Sequence, residues 1–223
     1  VSDLFYDIVT LIGRHVMQVA SKPVVIGKEN VDREGAFIVA ANHCSPYDVA
    51  VLIRHSRRRI DFLSMEELFR TKKSAAFFGG MNAFSFDRAN HDPSCVRVAL
   101  DRLQKGRVVG IFPEGRIRND DTSMLKGGRI RPGLARLAMR ANCPIIPAAV
   151  ANSTTFDHAT AYLPLRRCRY GVIFGPPLEI DPDPEVTEQR WVETVCGMYA
   201  ELVKQLGFTP RVWKPPKPEP RER

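Results

Sequence analysis

The segment Ala41-Asn42-His43-Cys44-Ser45-Pro46-Tyr47-Asp48 sets an imidazole and a carboxylate close together in the chain. A neutral imidazole can take a proton from a hydroxyl near pH 7. A carboxylate on its other ring nitrogen fixes the tautomer and stabilises the imidazolium that forms. General base catalysis of this kind is worth roughly 100- to 10,000-fold in rate. The same residues also suit plain helix-start chemistry, with Ser45 as the cap, Pro46 in the first turn and Asp48 favoured by the positive end of the helix dipole. Cys44 neighbours His43, but adjacent residues in an extended segment point to opposite sides, so it reads as a small buried or neutral side chain rather than a nucleophile. On these eight residues alone both readings of the pair stand.

The elements around the pair repeat one plan. Ala36-Phe37-Ile38-Val39-Ala40 is a short apolar run suited to a buried strand that ends near His43. Val108-Val109-Gly110-Ile111-Phe112 is a second such run, and it stops at Pro113-Glu114-Gly115-Arg116. In open α/β sheets ligands bind beyond the carboxyl ends of strands, which is where both polar clusters fall. Glu114 can accept a hydrogen bond from a substrate hydroxyl or hold the loop, and Gly115 permits close approach or a positive φ. The basic, glycine-bearing residues 116–131 read as a mobile loop.

Further strands are expected at Val24-Val25-Ile26-Gly27, as an edge, and at Ile60-Asp61-Phe62-Leu63, Phe84-Ser85-Phe86 and Tyr170-Gly171-Val172-Ile173-Phe174. Another, over residues 144–150, carries Pro144 and Pro147, which predict strand ends or an edge. Apolar residues at helical spacing predict a first helix over residues 4–20, broken by Pro23. Its greasy face can pack on the domain or lie in a membrane interface. Short helices are expected over residues 65–69 and after Pro132-Gly133. One packing helix starts at Asp92-Pro93 and closes at Gly106, and another runs over residues 184–206 to Gly207, with Trp191, Val195, Met198, Leu202 and Leu206 on one stripe. The apolar stretch at residues 75–81 is a candidate wall for an apolar ligand. The expected fold is a single α/β domain with a mixed central sheet flanked by helices, divided as an amphipathic helix (1–22), the domain proper (23–207) and a flexible tail rich in proline and charge (208–223).

A net charge of +8 points to an anionic partner: nucleic acid, a phospholipid surface or a phosphorylated substrate. No basic tract with interleaved aromatics, zinc-finger spacing or aromatic RNA-binding strand supports the nucleic-acid class. Arg54, Arg57, Arg58 and Arg59 form a dense cationic run near His43, suited to a solvated face, an anionic lipid surface or donor phosphates. Arg88 can grip a phosphate with its forked donors or pair with a carboxylate. The cysteines, at 44, 95, 143, 168 and 196, are widely spaced without a Cys-x-x-Cys pair, which suits a reducing, cytosolic setting. The longest uncharged stretch, about 16 residues at 141–156, is too short and too interrupted for a membrane span of about 20.

Taken in order, several blocks resemble the glycerolipid O-acyltransferase family that includes lysophosphatidic acid acyltransferases. Asn42-His43-Cys44-Ser45-Pro46-Tyr47-Asp48 is similar to its Asn-His-(four residues)-Asp block, residues 84–88 to its second block ending in Asp-Arg, Phe112-Pro113-Glu114-Gly115 to its third, and residues 144–147 to its fourth. Arg131-Pro132-Gly133 and Phe174-Gly175-Pro176-Pro177 also sit where the family has similar strings, so the resemblance spans residues 24–180. It implies His43 as catalytic base with Asp48 as its partner, and Arg88, Glu114, Gly115 and Arg116 as substrate-binding residues. It implies no bound cofactor or metal. The acyl donor would be a thioester on coenzyme A (acyl-CoA) or acyl-carrier protein, and the acceptor a lysophospholipid or glycerol phosphate. It further implies cytoplasmic location with peripheral association at an anionic membrane surface. The chain departs from the family at Asn82 and Ser85 in the second block and at Arg116-Ile117-Arg118, where Thr-Arg-Ser is usual. Two other classes fit parts of the sequence. One is a lipid- or anion-binding module with the same fold and little turnover. The other is a metal-dependent hydrolase using His43, Asp48, Asp87 and Glu114, for which the ligand spacing is lacking.

Overall fold

A computed structural model describes residues 3–86, 94–162 and 167–209. In chain order the helices are α1 (Asp3–Ala20), α2 (Asp48–His55), α3 (Lys72–Gly80), α4 (Ser94–Gln104), α5 (Leu134–Ala141) and α6 (Pro184–Leu206). The strands are β1 (Ser21–Ile26), β2 (Phe37–Ala41), β3 (Ile60–Met65), β4 (Phe84–Phe86), β5 (Val108–Ile111), β6 (Ile145–Ala151) and β7 (Cys168–Phe174). They form one sheet in the order β1-β7-β6-β2-β5-β3-β4, parallel throughout except for the antiparallel β6–β7 pair. This is the expected single α/β domain with a mixed sheet flanked by helices.

The central strands are buried on both faces, as the continuous apolar runs require. In β2, Phe37, Val39 and Ala41 join the core beneath α1 and α2, whereas Ile38 and Ala40 join the core beneath α4, α5 and α6. The strand period of two thus divides one five-residue run between two cores. On the second face Trp191 of α6 is fully buried and its indole Nε1 donates to the Ala40 carbonyl at 3.1 Å. The expected stripe on α6 is therefore core packing, and one member also holds β2 just before His43.

Three local expectations are corrected. Pro23 does not end the first helix: α1 stops at Ala20, and Pro23 lies in edge strand β1, where a missing N–H is tolerated. Pro147 is not at a sheet edge, because β6 sits between β2 and β7. Its carbonyl accepts from Gly175 N–H at 2.8 Å, just past the end of β7. Its imide nitrogen faces the same side, so the pairing with β2 loses no donor. The basic loop is also tied down, since Arg118 N–H donates to the His43 carbonyl and Arg131 N–H to the Pro113 carbonyl, each at 2.8 Å. The helix start at Asp92-Pro93, Asp87, Arg88 and the tail from residue 210 lie outside the described residues.

Replacing Trp191 by Phe keeps most of the buried ring and removes its N–H. We expect urea denaturation to show a loss of about 1–3 kcal/mol, the cost of a buried carbonyl losing its partner plus the change in packing.

Candidate active site

The sheet order places the carboxyl ends of β6, β2 and β5 side by side, and each contributes to one site. His43 follows β2. Its Nδ1 lies 3.0 Å from Asp48 Oδ2. The same oxygen accepts from the backbone N–H groups of Cys44 at 2.8 Å and Ser45 at 2.9 Å, while Oδ1 accepts from the Ser153 hydroxyl at 2.5 Å. Asp48 is completely buried, so these donors replace the water that it loses. Asp48 opens α2 and binds His43 at once, so its helix-start place and its contact with the imidazole coexist. The expected Ser45 cap is not formed, however: Tyr47 holds the N-cap position and no side chain caps the helix. Ser45 Oγ accepts from Tyr47 N–H at 3.2 Å, and α2 begins only at Asp48.

A carboxylate is only an acceptor, so its contact with Nδ1 puts the ring proton there and leaves Nε2 as the basic nitrogen. The imidazole is also stacked on Phe112, with ring centroids 3.9 Å apart and planes 14° from parallel. Phe112 in turn stacks on Phe62 at 5.5 Å. Gly110 makes room for that stack: a Cβ there would come within 2.5 Å of the Phe62 ring. Two stacked aromatics and one carboxylate therefore hold the ring in a single orientation.

Glu114, after β5, is also completely buried. One oxygen accepts from His43 N–H at 3.0 Å and the other from Met124 N–H at 3.2 Å. Of the two roles left open by sequence, this geometry matches holding the loop. Fully buried, with a backbone donor on each oxygen, the Glu114 carboxylate ties the His43 turn to the loop at Met124. Burial pushes its carboxyl above the ordinary value despite those hydrogen bonds. Gly115 follows at φ +69° and borders a cavity. A Cβ on it would meet Arg131 Cδ and Nε at 2.6 Å. Arg116 is exposed on the cavity rim, and Ile117 lines the cavity itself.

This cavity, about 560 Å³, opens beside His43 and lies within the range of small-ligand sites. Its walls are mostly apolar: Val49 and Ile53 of α2, Met65 at the end of β3, and Phe77, Phe78 and Met81 in and after α3. The stretch expected as an apolar wall thus serves as one, folded as a helix that begins with a Thr71–Ser74 capping box. Val9, Gly13 and Met17 of α1 close the remaining side.

The arginines of the run reach separate partners, and Arg54 also lines the cavity. Arg54 donates to Ser21 Oγ at 3.1 Å, Arg58 to the carbonyls of Arg33 and Gly106 at 2.7 Å each, and Arg59 to both oxygens of Asp7 at 2.8 and 2.7 Å. Arg57 lies 3.6 Å from Asp32. These cations pin loops and α1 to the domain. Burial, with Asp48 nearby, pushes the Cys44 thiol pKa well up, which matches the reading of a neutral side chain. Sequence reasoning missed Ser153, Phe112 as a stacking partner, and the role of Asn42, which accepts from Val150 N–H at 2.8 Å and donates to its carbonyl at 2.9 Å. The signal for Ser153 was present, since Asn152-Ser153 follows an apolar strand just as the other two polar clusters do.

Changing Glu114 to Gln sets an amide NH₂ against one of two backbone donors. We expect a loss of about 1–3 kcal/mol in urea denaturation near pH 7. Because the folded-state carboxyl value is raised, its stabilising contribution is present at low pH and is lost as pH rises through the raised value. The wild type should show that decline in unfolding midpoints measured upward from the ordinary carboxylate range, and the Gln variant should lack it.

The acyltransferase family model matches residues 22–151, more than half of the chain. The chain is 30% identical to a 1-acyl-sn-glycerol-3-phosphate acyltransferase of Bacillus subtilis over 82% of its own length and 86% of that protein. It is 25% identical to the Saccharomyces cerevisiae protein of the same name over 84% of its length and 62% of that protein. The crystal structure of a 1-acyl-sn-glycerophosphate acyltransferase from Thermotoga maritima shares the fold, with a TM-score of 0.71 at 19% identity over 88% of this chain and 79% of that one. With these matches covering the dyad, the buried glutamate and the strands that carry them, the chain belongs to the acyltransferase family of O-acyl-transferring enzymes.

Proposed function

We propose that this protein moves a fatty acyl group from a thioester, on coenzyme A or acyl-carrier protein, to a free hydroxyl of a lysophospholipid of the 1-acylglycerol-3-phosphate type. The observation that carries the reading is the oriented His43–Asp48 pair at the mouth of an apolar cavity. Nε2 of His43 takes the acceptor hydroxyl proton as that oxygen adds to the thioester carbonyl. The resulting tetrahedral oxyanion collapses, the C–S bond breaks, and the departing sulfur takes the proton from the imidazolium. The products are an ester and a free thiol, and the residue pair returns to its starting state. Asp48 stabilises the transient imidazolium through Nδ1. The cavity buries the acyl chain, worth about 0.8 kcal/mol per methylene. Arg116 on the rim, and Arg88 from the second block, would bind the acceptor phosphate.

The membrane belongs to the same proposal. α1 buries Tyr6 and Met17 against the domain, yet Leu4, Ile8, Leu11 and Ile12 stand in solvent, with Leu11 and Ile12 57% and 60% exposed. Phe77 of α3, 45% exposed, packs edge-to-face with Phe5 at 6.0 Å and extends this patch to the cavity wall. A large exposed apolar patch on a helix suits burial in the lipid interface, and the net charge of +8 favours anionic headgroups. Among the described residues no helix is long and apolar enough to cross a membrane. These features support peripheral docking on an anionic membrane surface, and the proposal places that surface on the cytoplasmic face.

The test is thiol release from a long-chain acyl-CoA or acyl-carrier protein in the presence of a panel of lysophospholipids. His43→Ala should lower turnover by roughly 100- to 10,000-fold, and a wild type no faster than this variant with either donor would overturn the reading. Separately, the Leu11→Glu/Ile12→Glu double variant should lose affinity for anionic vesicles by on the order of 100-fold in co-sedimentation, with the urea midpoint little changed.

A further inference from the structure

The two oxygens of Asp48 are met unequally. Oδ2 takes three donors, Nδ1–H of His43 at 3.0 Å and the backbone N–H groups of Cys44 and Ser45 at 2.8 and 2.9 Å. Oδ1 takes one among the described residues, the hydroxyl of Ser153 at 2.5 Å. Both side chains are closed off from solvent, with Asp48 0% and Ser153 1% exposed. A buried carboxylate oxygen that loses its partner carries the full cost of its desolvation. Ser153 belongs to none of the four ordered blocks and is not among the residues that line the cavity, so it acts on the site through Asp48.

Local contacts deliver that hydroxyl to its place. Asn42, one residue before His43, accepts from Val150 N–H on Oδ1 at 2.8 Å and donates through Nδ2 to the Val150 carbonyl at 2.9 Å, which clamps the end of β6 to the end of β2. Asn152 then turns the chain in the left-handed region, at φ +61°, a conformation that asparagine tolerates better than most residues. Its side chain donates to the Arg169 carbonyl of β7 at 2.6 Å. Ser153 opens a 3₁₀ turn (Ser153–Asp157) immediately afterwards, and Thr155 N–H closes on the Asn152 carbonyl at 3.2 Å. The hydroxyl thus reaches Asp48 from a segment fixed to both neighbouring strands, and it occupies the oxygen that the imidazole leaves free.

We propose that Ser153 is a positioning residue for the dyad: by occupying Oδ1 it keeps the Asp48 carboxylate turned so that Oδ2 faces the His43 ring. The effect on turnover rests on the acyl-transfer reading, whereas the effect on the imidazole contact does not. Without the hydroxyl, the remaining donors all lie on one side of the carboxylate, and a bare Oδ1 in the interior competes with Oδ2 for the same three N–H groups. The side chain relieves that cost by rotating about its last torsion, which is broad for aspartate, and the contact with Nδ1 lengthens. The imidazolium that forms during proton transfer then faces a less well aimed charge.

Ser153→Ala, Ser153→Cys and Ser153→Thr test this role. Proton NMR of the free protein reads the contact without substrate, through the downfield signal of His43 Nδ1–H, assigned by its absence in His43→Gln. In Ser153→Ala that signal should move upfield as the bond to Oδ2 weakens, and Ser153→Thr, which keeps the hydroxyl, should return it toward the wild-type position. Ser153→Cys, close in size but a weak donor, should fall between them. In the thiol-release assay Ser153→Ala should lower kcat about 10-fold, with KM for donor and acceptor changed by less than about twofold, and Ser153→Thr should recover most of the loss. A His43 Nδ1–H signal at or downfield of the wild-type position in Ser153→Ala overturns the proposal. So does a folded Ser153→Ala protein with wild-type kcat, since a hydroxyl that only stitches β6 to the site would lower the urea midpoint and move neither readout. An upfield move that Ser153→Thr reverses, in a protein that transfers no acyl group, supports the positioning role and counts against the proposed reaction instead.

Discussion

A buried carboxylate must find donors for its lone pairs, and Asp48 finds them in three different places. One is the imidazole that it orients, another is the pair of N–H groups in its own turn, and the third is the hydroxyl of Ser153 beyond the end of β6. Sliding β6 against β2 would take Ser153 away and leave an oxygen bare in the interior. Glu114 applies the same constraint from β5, because its two oxygens bridge His43 N–H and Met124 N–H. Two buried acids therefore fix the three central strand ends relative to one another. The register of the sheet and the orientation of the His43 imidazole are set by the same hydrogen bonds, so strand pairing and ring geometry are hard to perturb separately.

The apolar side of the site is assembled in a complementary way. α2 begins at the dyad carboxylate and ends against α1, where Arg14 donates to the Ser56 carbonyl at 2.5 Å and to that of Ile53 at 3.4 Å. A cation at that end of the helix satisfies carbonyls that lack helical partners and complements the dipole. α1 thereby closes the cavity with one face, clasps α2 with a side chain and presents its remaining apolar face outward. The N-terminus of α1 is held by a partly buried ion network in which Arg107 bridges buried Asp61, at 2.6 and 2.8 Å, and Asp3. Such a network fixes the placement of a helix that the outer apolar face alone would not.

Much of this was legible in the sequence. Continuous apolar runs gave the central strands because strands buried on both faces need no alternation, and helical stripes gave α1 and α6. What misled was local. Pro147 reads as an edge signal because a missing N–H usually cannot be tolerated inside a sheet, and only its orientation toward the end of β7 removes the conflict. The Arg54–Arg59 region reads as one basic patch, but neighbours in a turn point in different directions, and each cation meets its own distant partner. Residues 116–131 read as mobile because glycine and charge dominate, while Glu114, a residue outside that span, supplies the tether at Met124. His43 and Asp48 stood out in their own segment only as a pair open to two readings, and the resemblance across the later blocks chose between them. Ser153 follows an apolar strand as the other polar clusters do, but its bond to Asp48 joins residues 105 apart in the chain, and no local pattern specifies that contact.

The central claim is that Asp48 holds the His43 imidazole with its proton on Nδ1 and its basic nitrogen, Nε2, facing the cavity. Nitrogen-15 NMR of protein labelled in histidine reads this directly, with the His43 signals assigned by their loss in a His43→Gln variant. At a pH where the ring is neutral, Nδ1 should show the shift of a protonated nitrogen, coupled to a downfield proton, and Nε2 that of a bare one. A neutral ring with the proton on Nε2, or an even mixture of the two tautomers, would contradict the claim.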